Sequence, residues 1–189
     1  MDGIFTIPYA EYCVAEKLSE KFPTNQGYSV FAPLSRQERG VDLALVHRTR
    51  SGSKVATVQV KGSRTYSRPK ASSRAKRPFR YYTWFNTFNC PKEADFFCFV
   101  ALYPAVDAAQ KRELGTWWSP QVLLFSQLEM RRFLRSVRTK AGSPDKMFGF
   151  GFDTPDKVFQ SRGDRKGRFR EFTDHLLARR SALLREFLA

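Results

Sequence analysis

The sequence predicts a folded chain of the α/β (α+β) class, and three observations carry that prediction. Apolar residues recur at helical spacing near both ends, two β-rich segments flank a turn composition, and an uninterrupted apolar run follows them. The chain has 189 residues, 42% hydrophobic and 15% aromatic, which is too apolar for a disordered basic tail and enough to build a core. No internal repeat stands out. Residues 1–189 therefore read as one domain, with a core over about 8–140 and an extension over 147–189.

Pro8 to Phe22 reads as a helix, because Pro8 suits a first turn and Tyr12, Ala15, Leu18 and Phe22 share a face before Pro23 stops it. Gly27 to Ala32 has strand character, and Pro33 to Gly40 is a polar loop holding Arg36 and Arg39. Val41 to His47 and Val55 to Lys61 then form a hairpin about Arg50, Ser51, Gly52 and Ser53. Gly62 to Arg80 reads as a long cationic loop with no acidic residue. Tyr81, Tyr82, Trp84, Phe85 and Phe88 lead from it into a buried strand, Asp95 to Tyr103. The first four of these aromatics are expected in the core, with stacking on unpaired bases as the alternative.

A further strand is expected near Trp117 to Phe125. Ser126 is an N-cap, with Glu129 three residues on, for a helix reaching about Lys140 and exposing Arg131, Arg132, Arg135 and Arg138. Gly142 and Pro144 end it. A loop-rich stretch beyond Met147 carries a basic run from Arg162 to Arg170, and an amphipathic helix, Glu171 to Leu188, closes the chain.

Charge narrows the partner. Lys and Arg number 33 against 18 Asp and Glu, a formal +15, which favours a polyanion. The apolar runs are far shorter than the roughly 20 residues of a membrane-spanning helix, and no signal-peptide pattern opens the chain, so a cytoplasmic protein without a membrane partner is expected. Cys13, Cys90 and Cys98 are widely spaced and suggest neither a zinc site nor a disulfide framework. His47 and His175 have no ligand-like neighbours.

Asp42, Gln59 and Lys61 are polar residues of the hairpin set among apolar neighbours. With Ser51 and Gly52 at the centre of the turn, Asp42 lies opposite Lys61 and Ala44 opposite Gln59, and alternation puts Asp42, Gln59 and Lys61 on one face. Cross-strand neighbours are about 5 Å apart and diagonal ones roughly 7–8 Å, so the Asp42 and Gln59 oxygens can share a cation. A carboxylate with an amide carbonyl suits a hard ion such as Mg²⁺, completed by water and phosphate oxygens. Lys61 beside that ion can orient or deprotonate a water and stabilise charge on a phosphate.

Asp42 and Gln59-Val60-Lys61 across a hairpin, preceded by a helix with Glu11, resemble the PD-(D/E)XK nuclease superfamily. Ala10-Glu11-Tyr12, Tyr28-Ser29-Val30, Arg39-Gly40-Val41-Asp42-Leu43, Gln59-Val60-Lys61-Gly62-Ser63 and Ala94 to Val100 are similar to its restriction-endonuclease-like and Holliday-junction-resolvase-like branch. The resemblance spans roughly Tyr9 to Leu134. It implies a restriction-endonuclease-like αβββαβ core with a mixed central sheet flanked by helices, and metal-dependent endodeoxyribonuclease activity. It further implies Mg²⁺, with Mn²⁺ as substitute, held by Asp42, Gln59, Glu11 and the Val60 carbonyl, and catalytic roles for Glu11, Asp42, Gln59 and Lys61. The chain departs from the pattern at Gln59, where the family usually has an acid. A noncatalytic DNA-binding module is therefore one alternative, and a basic RNA-binding protein another.

Duplex or branched DNA is the expected partner, met by Arg39, Ser63, Arg64, Arg68, Lys70, Arg74, Lys76, Arg77 and Arg80 around the hairpin end. Where both strands are cut, the resemblance implies a homodimer, although no heptad or interface stripe in the sequence marks one.

Overall fold

The computed structural model describes residues 9–33, 40–67, 77–104, 118–164 and 169–189. Helix α1 (Tyr9–Lys21) is followed by β1 (Tyr28–Phe31), β2 (Leu43–Thr49) and β3 (Gly52–Ser63), which form an antiparallel meander. Strand β6 (Phe96–Pro104) then adds parallel to β3, and β7 (Trp118–Ser126) adds antiparallel to β6. The result is a mixed five-stranded sheet in the order β1-β2-β3-β6-β7, so the chain is α+β with a mixed central sheet.

Helix α2 (Gln127–Ser136) starts as the sequence predicts. The Ser126 hydroxyl accepts from the Glu129 N–H, and the Glu129 carboxylate accepts the Ser126 N–H in return, a reciprocal cap that satisfies two orphan donors. Helix α2 ends at Ser136, four residues short of the expected Lys140. The last helix, α3 (Leu177–Leu188), starts six residues later than expected, because Thr173–His175 forms a separate 3₁₀ turn.

The larger difference lies between β3 and β6 and beyond Met147. What reads as a cationic loop begins with the end of β3 and then β4 (Thr65–Ser67), which pairs with β5 (Tyr81–Thr83). Strands β8 (Gly149–Phe152) and β9 (Val158–Arg162) complete a second antiparallel sheet in the order β4-β5-β8-β9. Among the described residues the connection from β3 to β6 thus carries two strands and no helix. The loop-rich reading beyond Met147 misses β8 and β9, the former because Gly-Phe-Gly-Phe lacks the apolar-polar alternation that marks a strand. All four residues of β8 are buried.

The central sheet is covered on both faces. Val14 and Leu18 of α1, Phe22 just after it, and Leu177, Leu184 and Leu188 of α3 pack on Leu43, Leu45, Val58, Val60 and Cys98. On the other face Phe97, Phe99 and Phe125 meet Phe150 of β8, Phe148 just before it, and Phe133 of α2. Several of their rings meet edge to face, Phe99 against Phe148 at 5.4 Å and Phe133 against Phe148 at 5.1 Å between centroids, a geometry that the ring quadrupoles favour. Both histidines are structural. His47 stacks on Tyr28 and bonds the Leu188 carbonyl through Nδ1 at 3.0 Å, and His175 lies against Phe125 and Phe172. No helix among the described residues is long and apolar enough to cross a membrane.

Candidate active site at the β3 notch

The hairpin turn is centred on Arg50 and Ser51, one residue earlier than the sequence suggests. Thr49 closes it, its hydroxyl donating to the Gly52 carbonyl at 3.1 Å, and Leu43 faces Val58 while Ala44 faces Thr57. Ala44 therefore does not face Gln59. The shift is two residues in the pair sum, so the parity of β3 survives: Val58 and Val60 enter the core under α1, and Gln59, Lys61 and Ser63 take the other face.

Asp42 behaves differently. Its N–H donates to the Val58 carbonyl at 2.9 Å, although it is Leu43 that faces Val58, so the ladder is out of step here as in a bulge. Its carboxylate accepts the Val60 N–H at 2.7 Å. A side chain thus takes over where the β2 backbone leaves β3. The expectation that Asp42 shares a face with Gln59 and Lys61 is corrected: the carboxylate sits at the edge of β3, in line with its backbone donors. Because N–H and C=O of one strand residue point to the same edge, the Val60 carbonyl is directed into this notch with Asp42.

Gln59 is 7% exposed, and its Oε1 has no hydrogen-bond partner. A buried amide oxygen without a donor costs on the order of 1–3 kcal/mol, so this position carries an unfilled demand for a positive or donating group. Lys61 is half-buried on the same face, beside Phe99 of β6.

Glu11 comes to the same end of β3 from the opposite side of the sheet. A Cβ on Gly62 would lie 2.8 Å from the Ala10 Cβ, so the first turn of α1 rests on β3 immediately beyond Lys61. Gln59 and Lys61 face away from α1, and Asp42 at the edge lies between the two sides.

A residue that sequence reasoning did not single out is Glu93. Gly40 has φ +84°, and a Cβ there would strike the Pro91 ring, with Glu93 Oε2 at 3.6 Å. Only glycine meets both demands easily. This close approach brings a carboxylate to within two residues of Asp42. Nothing in the sequence spacing signals it, because the contact joins two loops.

Asp95 is occupied otherwise: its Oδ2 accepts the Thr57 N–H at 2.9 Å and the Thr57 hydroxyl at 2.8 Å, locking β6 to β3. Among the described residues no three His, Cys, Asp or Glu side chains form a metal-holding group. The oxygens this end of β3 offers to a cation include the Asp42 carboxylate at its edge, the Gln59 Oε1 on one face and the Val60 carbonyl. That set suits a hard ion, and the orphaned Gln59 Oε1 is the observation in its favour.

The basic residues divide. Arg39, Arg68, Lys70, Arg74 and Lys76 lie outside the described residues. Arg64, Arg77 and Arg80 are exposed, Arg80 leaning over the Tyr81 ring and Arg77 over Phe169. Ser63 makes a tertiary tie, its hydroxyl donating to the Trp84 carbonyl at 2.6 Å and accepting the Trp84 N–H at 3.2 Å. On α2, Arg131, Arg132 and Arg135 are exposed, whereas Arg138 turns back to the Arg135 and Val137 carbonyls. The chain matches no protein-family model, no curated protein and no solved structure.

Proposed function

We propose that the chain is a metal-dependent endodeoxyribonuclease that hydrolyses DNA phosphodiester bonds at the β3 notch. The observation that carries the proposal is the buried, partnerless Gln59 Oε1 on the strand that also bears Lys61, with the Asp42 carboxylate at its edge. A helix, a three-strand meander and a further strand parallel to the third support the likeness to the restriction-endonuclease-like core. Where that core has a helix, the described residues of the connection carry two strands.

In this reading Asp42, Gln59 and the Val60 carbonyl hold the ion, with Glu11 reaching it from α1. When bound there, Mg²⁺ or Mn²⁺ would supply Lewis acidity toward a water and would offset charge on the phosphate. Lys61 orients the attacking water, and its ammonium stabilises the negative charge that develops on the phosphate oxygens. Exposed Arg64, Arg77 and Arg80 hold the backbone of the nucleic acid.

A second reading has one observation in its favour. Asp42 already spends an oxygen on the Val60 N–H, which is what a structural aspartate at a strand end does. That reading is a DNA-binding module with no cleavage. Incubation of supercoiled plasmid with the protein in Mg²⁺, Mn²⁺ or EDTA separates the two: nicking or linearisation in metal alone supports the nuclease, and intact plasmid in all three supports the binding module. Preference for RNA without any metal response would remove both.

A further inference from the structure

The second sheet has an outer face that the phosphodiester chemistry does not use. Alternation along β4 and β5 sends Tyr81 inward, against Phe152, and sends Tyr66 and Tyr82 outward on facing positions. Trp84 follows on the outer side. The rings of Tyr66 and Tyr82 lie 5.6 Å apart at 25°, Tyr66 and Trp84 are 5.7 Å apart, and Tyr82 and Trp84 are also 5.7 Å apart. Tyr66 is 41% exposed and Trp84 45% exposed. With Tyr82 half-buried between them, the exposed Tyr66 and Trp84 form an aromatic surface, where burial inside would have been the ordinary use of such side chains.

The backbone is cut to fit this surface. A Cβ on Gly149 would lie 3.1 Å from Trp84 Cδ1 and would collide with the Thr83 carbonyl, so glycine lets the indole lie close over the sheet. The Arg162 guanidinium at the end of β9 stands 5.8 Å from the Trp84 ring centroid and is also 3.6 Å from the Asp145 carboxylate. None of the four strands contains an acidic residue, and exposed Arg64 enters β4. Exposed Tyr66 and Trp84 rings, flanked by arginine and free of carboxylates on their own strands, suit a stacked nucleobase better than an apolar protein segment.

The surface is also tied to the notch. Ser63, two residues beyond Lys61 on the same face of β3, holds both the N–H and the C=O of Trp84. The platform and Lys61 are therefore fixed to one rigid strand. We infer that Tyr66, Tyr82 and Trp84 form a stacking platform for unpaired bases of single-stranded DNA, so that the substrate carries an unpaired segment next to the bond that is cut. The placing of that segment beside a scissile bond rests on the nuclease reading of the notch; the binding of unpaired bases does not.

The test is binding in EDTA, where no cleavage occurs, of a fluorescein-labelled 15-nucleotide oligo(dT) and of a duplex of the same length. The wild-type chain is expected to bind the single strand more tightly. Trp84→Ala and Tyr66→Ala are each expected to weaken it roughly 5- to 150-fold, the span of base stacking, with Trp84→Phe and Tyr66→Phe retaining most of the affinity. Against the risk that an alanine variant unfolds, Trp117→Phe with Trp118→Phe leaves Trp84 as the sole tryptophan. Oligo(dT) should then quench its fluorescence at the concentrations that saturate binding. Equal binding of duplex and single strand, alanine variants with unchanged affinity, or unquenched Trp84 overturns the inference. So does absence of oligonucleotide binding, which would leave the platform as a protein-docking face. Metal-dependent cleavage persisting alongside any of these results spares the nuclease reading, and quenching without cleavage spares the platform alone.

Discussion

Asp42 performs two tasks that substitution can separate. Its carboxylate completes the β3 ladder at the Val60 N–H, and in the proposed mechanism its negative charge holds the ion. Asn keeps an acceptor and removes the charge. Asp42→Asn is therefore expected to fold with near wild-type stability and to lose cleavage, whereas Asp42→Ala loses cleavage and about 1–3 kcal/mol of stability from the stranded donor; thermal melts beside a nicking assay check both. At Gln59 the opposite change is informative. Gln59→Glu restores a second negative charge, so the metal concentration for half-maximal cleavage should fall, read by Mg²⁺ titration. A rise would place the Gln59 oxygen away from the ion. The site was partly legible in sequence because Asp42, Gln59 and Lys61 are polar residues in apolar strands. Glu93 was illegible, since its approach to Gly40 depends on how two loops meet. The edge position of Asp42 was illegible for a related reason, because one out-of-step backbone bond moves a side chain off the face that alternation assigns.

At the scale of elements, legibility followed local signals. The cap of α2 is written in Ser126 and Glu129 and occurs as expected. Ser126→Ala should cost about 1 kcal/mol and lower the melting temperature by ~2–4 °C in a chain of this size; an unchanged melt would mean that Arg180, which pairs with Glu129, holds the helix start without the cap. Burial acts to raise the Glu129 carboxyl, and its bonds to Arg180 and Ser126 outweigh this, leaving it below its ordinary range. The β2–β3 hairpin was legible to within one residue of its turn. The second sheet was not. Strand β8 has glycines where alternation wants polar residues, and β4 is three residues inside a basic stretch, so neither carries a period long enough to read. The aromatics preceding β6 accordingly divide in a way that composition could not foresee: Tyr81 and Phe85 enter the core, and Tyr82 and Trp84 face outward.

At the scale of the molecule, the phenylalanine-rich layer between the sheets governs stability, and His175 at its margin makes that stability pH-dependent. Burial against Phe125 and Phe172, reinforced by the nearby Arg180 charge, lowers its pKa from 6.5 to about 4. Above pH 6.5 the ring is neutral folded and unfolded, and stability is full. As pH falls from 6.5 toward 4 the unfolded chain takes up the proton first, so stability is progressively lost. The melting temperature should decline across that window and decline less in His175→Phe, which a series of melts from pH 8 to 4 would reveal.

The +15 charge sets the other global property. DNA affinity should fall steeply and linearly in log–log form as salt rises, and an affinity indifferent to salt would exclude backbone contact as its source. The central claim concerns chemistry at the notch, and its most direct test compares wild type with Lys61→Ala on labelled DNA, cleavage and binding being read side by side. Metal-dependent cleavage by wild type, abolished in Lys61→Ala while binding persists, is the predicted result; equal cleavage by both would contradict it.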